Sequence, residues 1–158
     1  MITDQHFGGK SDSNSFNNYI ETFYTNQFFP YLEENNIHTV IDLGDTFDRR
    51  KYVNFAILDK VRKFYFDELA NRNIKVHSIV GNHSTYYRNT NDVNSSYLLY
   101  GHYDNIEVYS EATPISIDGT LIDLIPWINS ENHDRTMDFI KKSKAQVAFG
   151  HLEVEGFA

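Results

Sequence analysis

The sequence predicts an α/β fold in layers, with a β-sheet core flanked by helices. Two observations carry that expectation. Short, largely apolar runs alternate with stretches whose apolar residues recur at helical spacing, in the order β-α-β-α-β, then a β-rich stretch, then α-β. Polar clusters fall just past the ends of the strand-like runs, at Asp4-Gln5-His6, Asp45, Asn82-His83 and His151. In open α/β sheets, ligands gather at the carboxyl ends of strands.

Each element has its own signal. Met1 to Thr3 form the stub of a first strand, shorter than the roughly five residues usual for one. Ser13 and Ser15 are candidate N-caps for a helix from about Asn14 to Asn35, with Phe16, Ile20, Phe23 and Tyr24 at helical spacing. Pro30 is expected to kink or break it. Ile37 to Leu43 reads as a buried strand ending at Gly44-Asp45. Val53, Ile57, Val61, Phe64 and Leu69 mark a second amphipathic helix. Ile74 to Val80 is a second strand, ending at Gly81-Asn82-His83, and a short helix is expected near Ser96 to Tyr100. Ile106 to Tyr109, Ile115 to Ile117 and Leu121 to Pro126 read as strands, Arg135 to Ser143 as a helix and Gln146 to Phe149 as a last strand before Gly150-His151.

With 158 residues, 41% apolar and 15% aromatic, the chain supports one globular domain over residues 1–158. Because the first strand is short and the chain stops soon after His151, a fragment at both ends is expected. The absence of cysteine excludes a disulfide scaffold and a thiolate metal site, and fits a reducing cytoplasm. No apolar run reaches the length of a membrane span, and Met1 to Lys10 has no signal-peptide core. The formal charge of −8 argues against a nucleic-acid binder taken alone. Bound divalent cations would offset it where a phosphate sits, and Arg49-Arg50-Lys51 form a local basic cluster.

The polar clusters are rich in metal-ligand types. Asp, His and Asn together make a mixed oxygen and nitrogen set, which suits Mn, Zn or Fe better than Ca or Mg. Asp4 and His6 lie two apart, so on an extended segment their side chains point the same way. Asp45 offers a carboxylate able to bridge two cations, and Asn82 a neutral carbonyl oxygen. Two cations about 3.5–4 Å apart clamp a phosphate and make a hydroxide nucleophile near neutral pH.

Four motifs stand in order: Asp4-x-His6, GDTFD at Gly44 to Asp48, GNH at Gly81 to His83, and Gly150-His151. The chain thereby resembles the calcineurin-like metallophosphoesterases. The stretches DQHFGGK, GDTFDRRK, IVGNH, LIDLIPW and GHLEVEGF resemble more closely the nuclease subunit of the SbcCD type and its T-even phage homologue. The resemblance covers essentially the whole chain. It implies a layered metallophosphoesterase fold and a metal-dependent DNA phosphodiesterase, an exo- or endonuclease subunit of a recombination and repair complex. It further implies two divalent ions, with Mn²⁺ favoured, an SbcC-type ATPase partner, a homodimer in the full-length protein, and the cytoplasm of a bacterial host for a phage-encoded chain. Asp4 and His6 would hold the first metal, Asp45 would bridge, and Asn82 and His151 would hold the second. His83 would sit beside the phosphate without binding metal, stabilising the transition state or protonating the leaving oxygen.

Two features depart from the family. Ser84 stands where an acidic residue usually follows GNH, and no later G-H-x-H occurs before Ala158, so both metal shells are expected to be incomplete and the chain alone inactive. Arg49, Arg50 and Lys51 are either a solvated helix start or phosphate contacts. Asp48 caps the next helix, meets solvent or supports the site, and His38, His77, His102 and His133 have surface or packing roles. A protein phosphatase is disfavoured because Arg50 replaces the glycine of GDxxDRG and Val80, not arginine, precedes Gly81. The alternatives are another calcineurin-like phosphoesterase, such as that phosphatase, and a non-catalytic binding or dimerisation module that keeps the fold.

Overall fold

A computed structural model describes residues 1–154 and 156. Glu155 and Phe157, at the end of the GHLEVEGF stretch, and Ala158 lie outside the described residues.

The chain builds two three-stranded sheets packed face to face. Strands β1 (Thr39–Asp42), β2 (Lys75–Ile79) and β3 (Ile106–Tyr109) are parallel, in that order. The expected first strand is reduced to one bridge, in which Ile2 pairs with β1 through Ile2 N–H to the Ile41 carbonyl and Leu43 N–H to the Ile2 carbonyl. Strands β4 (Thr113–Ile117) and β5 (Thr120–Ile125) are antiparallel, and β6 (Val147–Gly150) runs parallel to β5. Asp118 and Gly119, both with positive φ, form the two-residue turn between β4 and β5, the turn whose twist suits a hairpin. Ile79, Tyr109, Ile122 and Leu124 are buried between the sheets, with Ile41, Leu43 and Phe149 packed against them.

The other face of the first sheet is covered by two long helical segments. A left-handed turn, α1 (Gly9–Asp12), leads into α2 (Asn14–Phe23), capped by the Ser13 hydroxyl. The helix continues through a wide π turn (Tyr24–Phe28) into α3 (Phe29–Glu34). Pro30 does not break this helix. The wide turn lets Phe29 N–H reach back to the Tyr24 carbonyl, ahead of the position where proline has no N–H to donate. The second segment is α4 (Phe55–Val61), a π turn (Arg62–Phe66) and α5 (Asp67–Asn71). Its cap is Asn54, so Val53 precedes the helix instead of opening it. The two π turns face each other across an aromatic cluster in which the rings of Tyr24 and Tyr65 lie 4.8 Å apart. Helix α6 (Ser95–Tyr100) is capped by Asn94, and α7 (His133–Lys142) lies beside Pro114, Leu121 and Asp123 of the second sheet. The layers run helix, sheet, sheet, helix. Among the described residues no helix is long and apolar enough to cross a membrane.

Candidate metal centre

The amino-terminal segment and the loop after β1 run side by side, and backbone hydrogen bonds set their register. Asp4 N–H donates to the Gly44 carbonyl, His6 N–H to Asp45 and Phe7 N–H to Thr46. Asp4, His6 and Asp45 all have positive φ, at 51°, 46° and 56°. That region is uncommon outside glycine and is tolerated best by Asp, Asn and His. The expectation of an extended Asp4-x-His6 segment is therefore corrected. The side chains converge because each backbone is held left-handed by its neighbour strand, and three such residues together mark a strained, site-like region.

Glycines bring the second loop in. A Cβ on Gly81 would lie 2.2 Å from Asp45 Oδ1 and 2.7 Å from its backbone nitrogen. One on Gly44, whose φ is 92°, would meet the Gly81 backbone nitrogen at 2.7 Å. Only hydrogen fits at either position, so the Asp45 loop and the Asn82-His83 loop touch. His83 N–H donates to Asp45 Oδ1 at 2.8 Å.

The side chains then meet in one cleft. His6 Nε2 lies 3.5 Å from Asp4 Oδ1 and 3.9 Å from Asp45 Oδ2. His151 enters from the end of β6, held by its N–H to the Ile125 carbonyl. Its Nδ1 donates to the Leu43 carbonyl at 2.8 Å. Its Nε2 therefore faces the cleft, 3.0 Å from Asn82 Oδ1 and 3.4 Å from Asp45 Oδ2. Asn82 turns its oxygen this way because its Nδ2 donates to Glu153. Asp4, Asp45 and His151 each offer one ligand atom, all within 4.8 Å of one another. The inward-facing atoms are carboxylate and amide oxygens and imidazole nitrogens, and His151 Nε2 has a lone pair to give because its Nδ1 holds the proton. A cation satisfies such a set, and the mixture of carboxylate, amide oxygen and imidazole fits a transition-metal ion.

His83 stands apart from the ligand atoms. Its Nδ1 donates to the Asp48 carbonyl at 2.7 Å, and its ring stands edge-on to His6 with centroids 5.1 Å apart. Asp48 thus supports the site through its backbone, and its carboxylate lies 3.3 Å from His6 Nδ1. It does not cap the following helix. Ser84 is buried with its hydroxyl unpartnered, so the position after GNH plays no part in orienting His83.

The basic cluster is not a helix start, because α4 begins only at Phe55. Arg49 pairs with Asp12 at 2.6 Å and lies over Tyr52. Arg50 bonds the Thr85 hydroxyl and lies over Trp127, and Lys51 lies over Tyr86. Among the described residues, Arg49 alone of the three has a carboxylate partner.

Sequence reasoning missed Asp42. Its buried carboxylate accepts Gly44 N–H at 3.0 Å and the hydroxyls of Thr46 and Ser78 at 3.1 and 3.3 Å. Tyr100 closes the cluster against both hydroxyls. Burial pushes the Asp42 carboxyl above its ordinary range, against the pull of these donors. An acid inside the apolar run Ile37 to Leu43 was the available signal. His77 is buried with Nδ1 on the Tyr109 hydroxyl, and burial holds it below the usual histidine value. His102 and His133 contact Arg62 and Asp134, and His38 is exposed.

The chain is similar to exonuclease subunit 1 of Enterobacteria phage T4, at 37% identity over 156 residues. The match takes in 99% of this chain and 45% of that protein, so the chain spans just under half the length of its relative. The family model for calcineurin-like phosphoesterases matches residues 1–156. With the fold layers and the ordered motifs, this match shows that the chain belongs to the calcineurin-like phosphoesterase family.

Proposed function

We propose that this chain carries the catalytic centre of a two-metal DNA phosphodiesterase, a nuclease subunit of a recombination and repair complex. The observation that carries the reading is the position of Asp45. One oxygen faces imidazoles on both sides, His6 and His151, while the other is fixed by His83 N–H. Asp4 and His6 would hold one ion, Asn82 and His151 the other, and Asp45 would bridge. Bound divalent ions, Mn²⁺ above others for this donor set, supply charge that orients a phosphate and acidifies water.

The remaining steps belong to the chain's own side chains. Because the Asp48 carbonyl holds the Nδ1 proton of His83, Nε2 is the nitrogen left to exchange a proton with the leaving oxygen. Arg50 and Lys51 keep uncompensated charge for backbone phosphates, whereas Arg49 is neutralised by Asp12. The relative's printed name, one subunit of an exonuclease, supports both the substrate and a partnered assembly. An SbcC-type ATPase and a homodimer of the full-length protein complete the reading.

The test uses the full-length protein with DNA and with a phosphoprotein as substrates. DNA is cleaved, and His83→Ala abolishes cleavage while metal content stays near wild type. Phosphoprotein turnover without DNA cleavage would overturn the substrate, and loss of metal in His83→Ala would make it a ligand.

A further inference from the structure

Beside the metal centre lies a cavity of about 140 Å³, walled by the two loops that leave it. Phe47 and the run Arg49 to Val53 follow Asp45, Tyr86 and Val93 follow His83, and Leu98 and Leu99 of α6 close it. We propose that this cavity takes one unpaired nucleobase of the strand whose phosphate lies at the metal centre. The proposal rests on the function proposed above and narrows its substrate to strands with an unpaired base near the scissile phosphate.

Size, wall chemistry and charge each favour that occupant. A dry cavity of roughly 150 Å³ admits one six-membered ring, whereas pockets that enclose a drug-sized ligand run from roughly 300 Å³. The cavity therefore holds a single ring system and leaves sugar and phosphate outside. Its walls are mostly carbon, with the Tyr52 and Tyr86 rings at the mouth, both exposed. Aromatic rings beside a cationic track are the arrangement that binds single strands, because every base has a π face. Here the track is Arg50 and Lys51, in a chain whose net charge is −8. Basic residues concentrated at this mouth complement a phosphate on either side of the inserted base. The wall amide, Asn94, spends both ends inside the protein, on Tyr97 N–H and the Asn91 carbonyl. With the amide oriented by these two bonds and the rest of the wall largely carbon, selection rests on shape and stacking and tolerates sequence.

The continuity of the walls with the site explains the placement. Arg50 bonds Thr85 Oγ1, which itself donates to the Asn82 carbonyl. A base in the cavity thus sits one side chain away from the Asn82-His83 loop.

The experiment titrates two phosphorothioate single strands by fluorescence anisotropy in Mn²⁺, one of mixed sequence and one with abasic sites. Wild type should prefer the base-bearing strand by at least about tenfold, the order of one stacked base. Val93→Trp and Leu98→Trp fill the cavity from exposed positions. Each should reduce the preference to under about threefold, with abasic affinity and Mn²⁺ uptake unchanged. No preference in wild type, or full preference in both variants, overturns the cavity while leaving the phosphodiesterase reading standing. Failure to bind either strand sinks that reading and the proposal with it. A change of oligomeric state in the tryptophan variants, read by sedimentation, would assign this face to a second copy and also overturn the proposal.

Discussion

Asp42 and Asp45 lie three residues apart at the end of one strand, both buried, yet their surroundings are opposite in kind. Around Asp42 every close partner is a donor: Gly44 N–H and the hydroxyls of Thr46 and Ser78. Around Asp45 Oδ2 the neighbours are the imidazole nitrogens of His6 and His151, and beyond them Asp4 and Asn82 oxygens. The first cluster is closed, and it fixes the turn that presents the second. The second is open and asks for a cation. Sequence type and burial do not separate a structural carboxylate from a ligand; the polarity of the partners does.

Crowding between the loops gives the largest expected effect. Gly81→Ala places a methyl group against the Asp45 carboxylate and backbone. It should destabilise by about 1–3 kcal/mol, as overpacking does, and strip bound Mn²⁺. Wild-type metal uptake in a folded Gly81→Ala chain, checked by calorimetry, would show that the contact does not set the site.

Asp42 sharpens the contrast through pH. Its folded carboxyl titrates above the unfolded value of about 3.9. Below that pH both states hold the proton. As pH rises the unfolded chain releases its proton first, so Asp42's contribution to stability falls until the folded group ionises too. Asp42→Asn keeps an acceptor for Gly44 N–H and removes the ionisation. Urea midpoints should therefore fall less as pH rises from about 4 to neutrality in Asp42→Asn than in wild type. An unchanged pH profile would mean another group carries the dependence.

The smallest effect concerns the basic cluster. Arg50→Ala with Lys51→Ala should flatten log K against log salt for DNA by up to about two. Arg49→Ala should alter the slope little, because Asp12 already neutralises it. Anisotropy titrations at fixed Mn²⁺ compare the two, and a larger change from Arg49 would reverse the assignment.

Much of this was legible in the sequence. Ile106 to Tyr109 has the same bounds as β3, and the spacing of Phe16, Ile20 and Tyr24 placed the first helix. The ordered motifs named the residues that the fold gathers. What stayed hidden depends on distant partners. The π turns arise from packing between two helices and leave no local period to read. Val53 matched the helical spacing, but Asn54 caps the helix after it. The positive φ of Asp4 and His6 comes from pairing with a loop about 40 residues away. Arg49 read as free charge because Asp12, in an unrelated turn, carries no mark of the pairing.

The most direct test is Mn²⁺ titration of wild type, Asp42→Asn and Asp45→Asn, followed by electron paramagnetic resonance. Wild type should bind, weakly if the later histidines of the resemblance are needed. Asp45→Asn should lose more than the roughly 10–100-fold typical of partners behind the ligands, and Asp42→Asn less than about tenfold. Equal losses in the two variants, or an Asp45→Asn chain that binds as wild type does, would contradict the account.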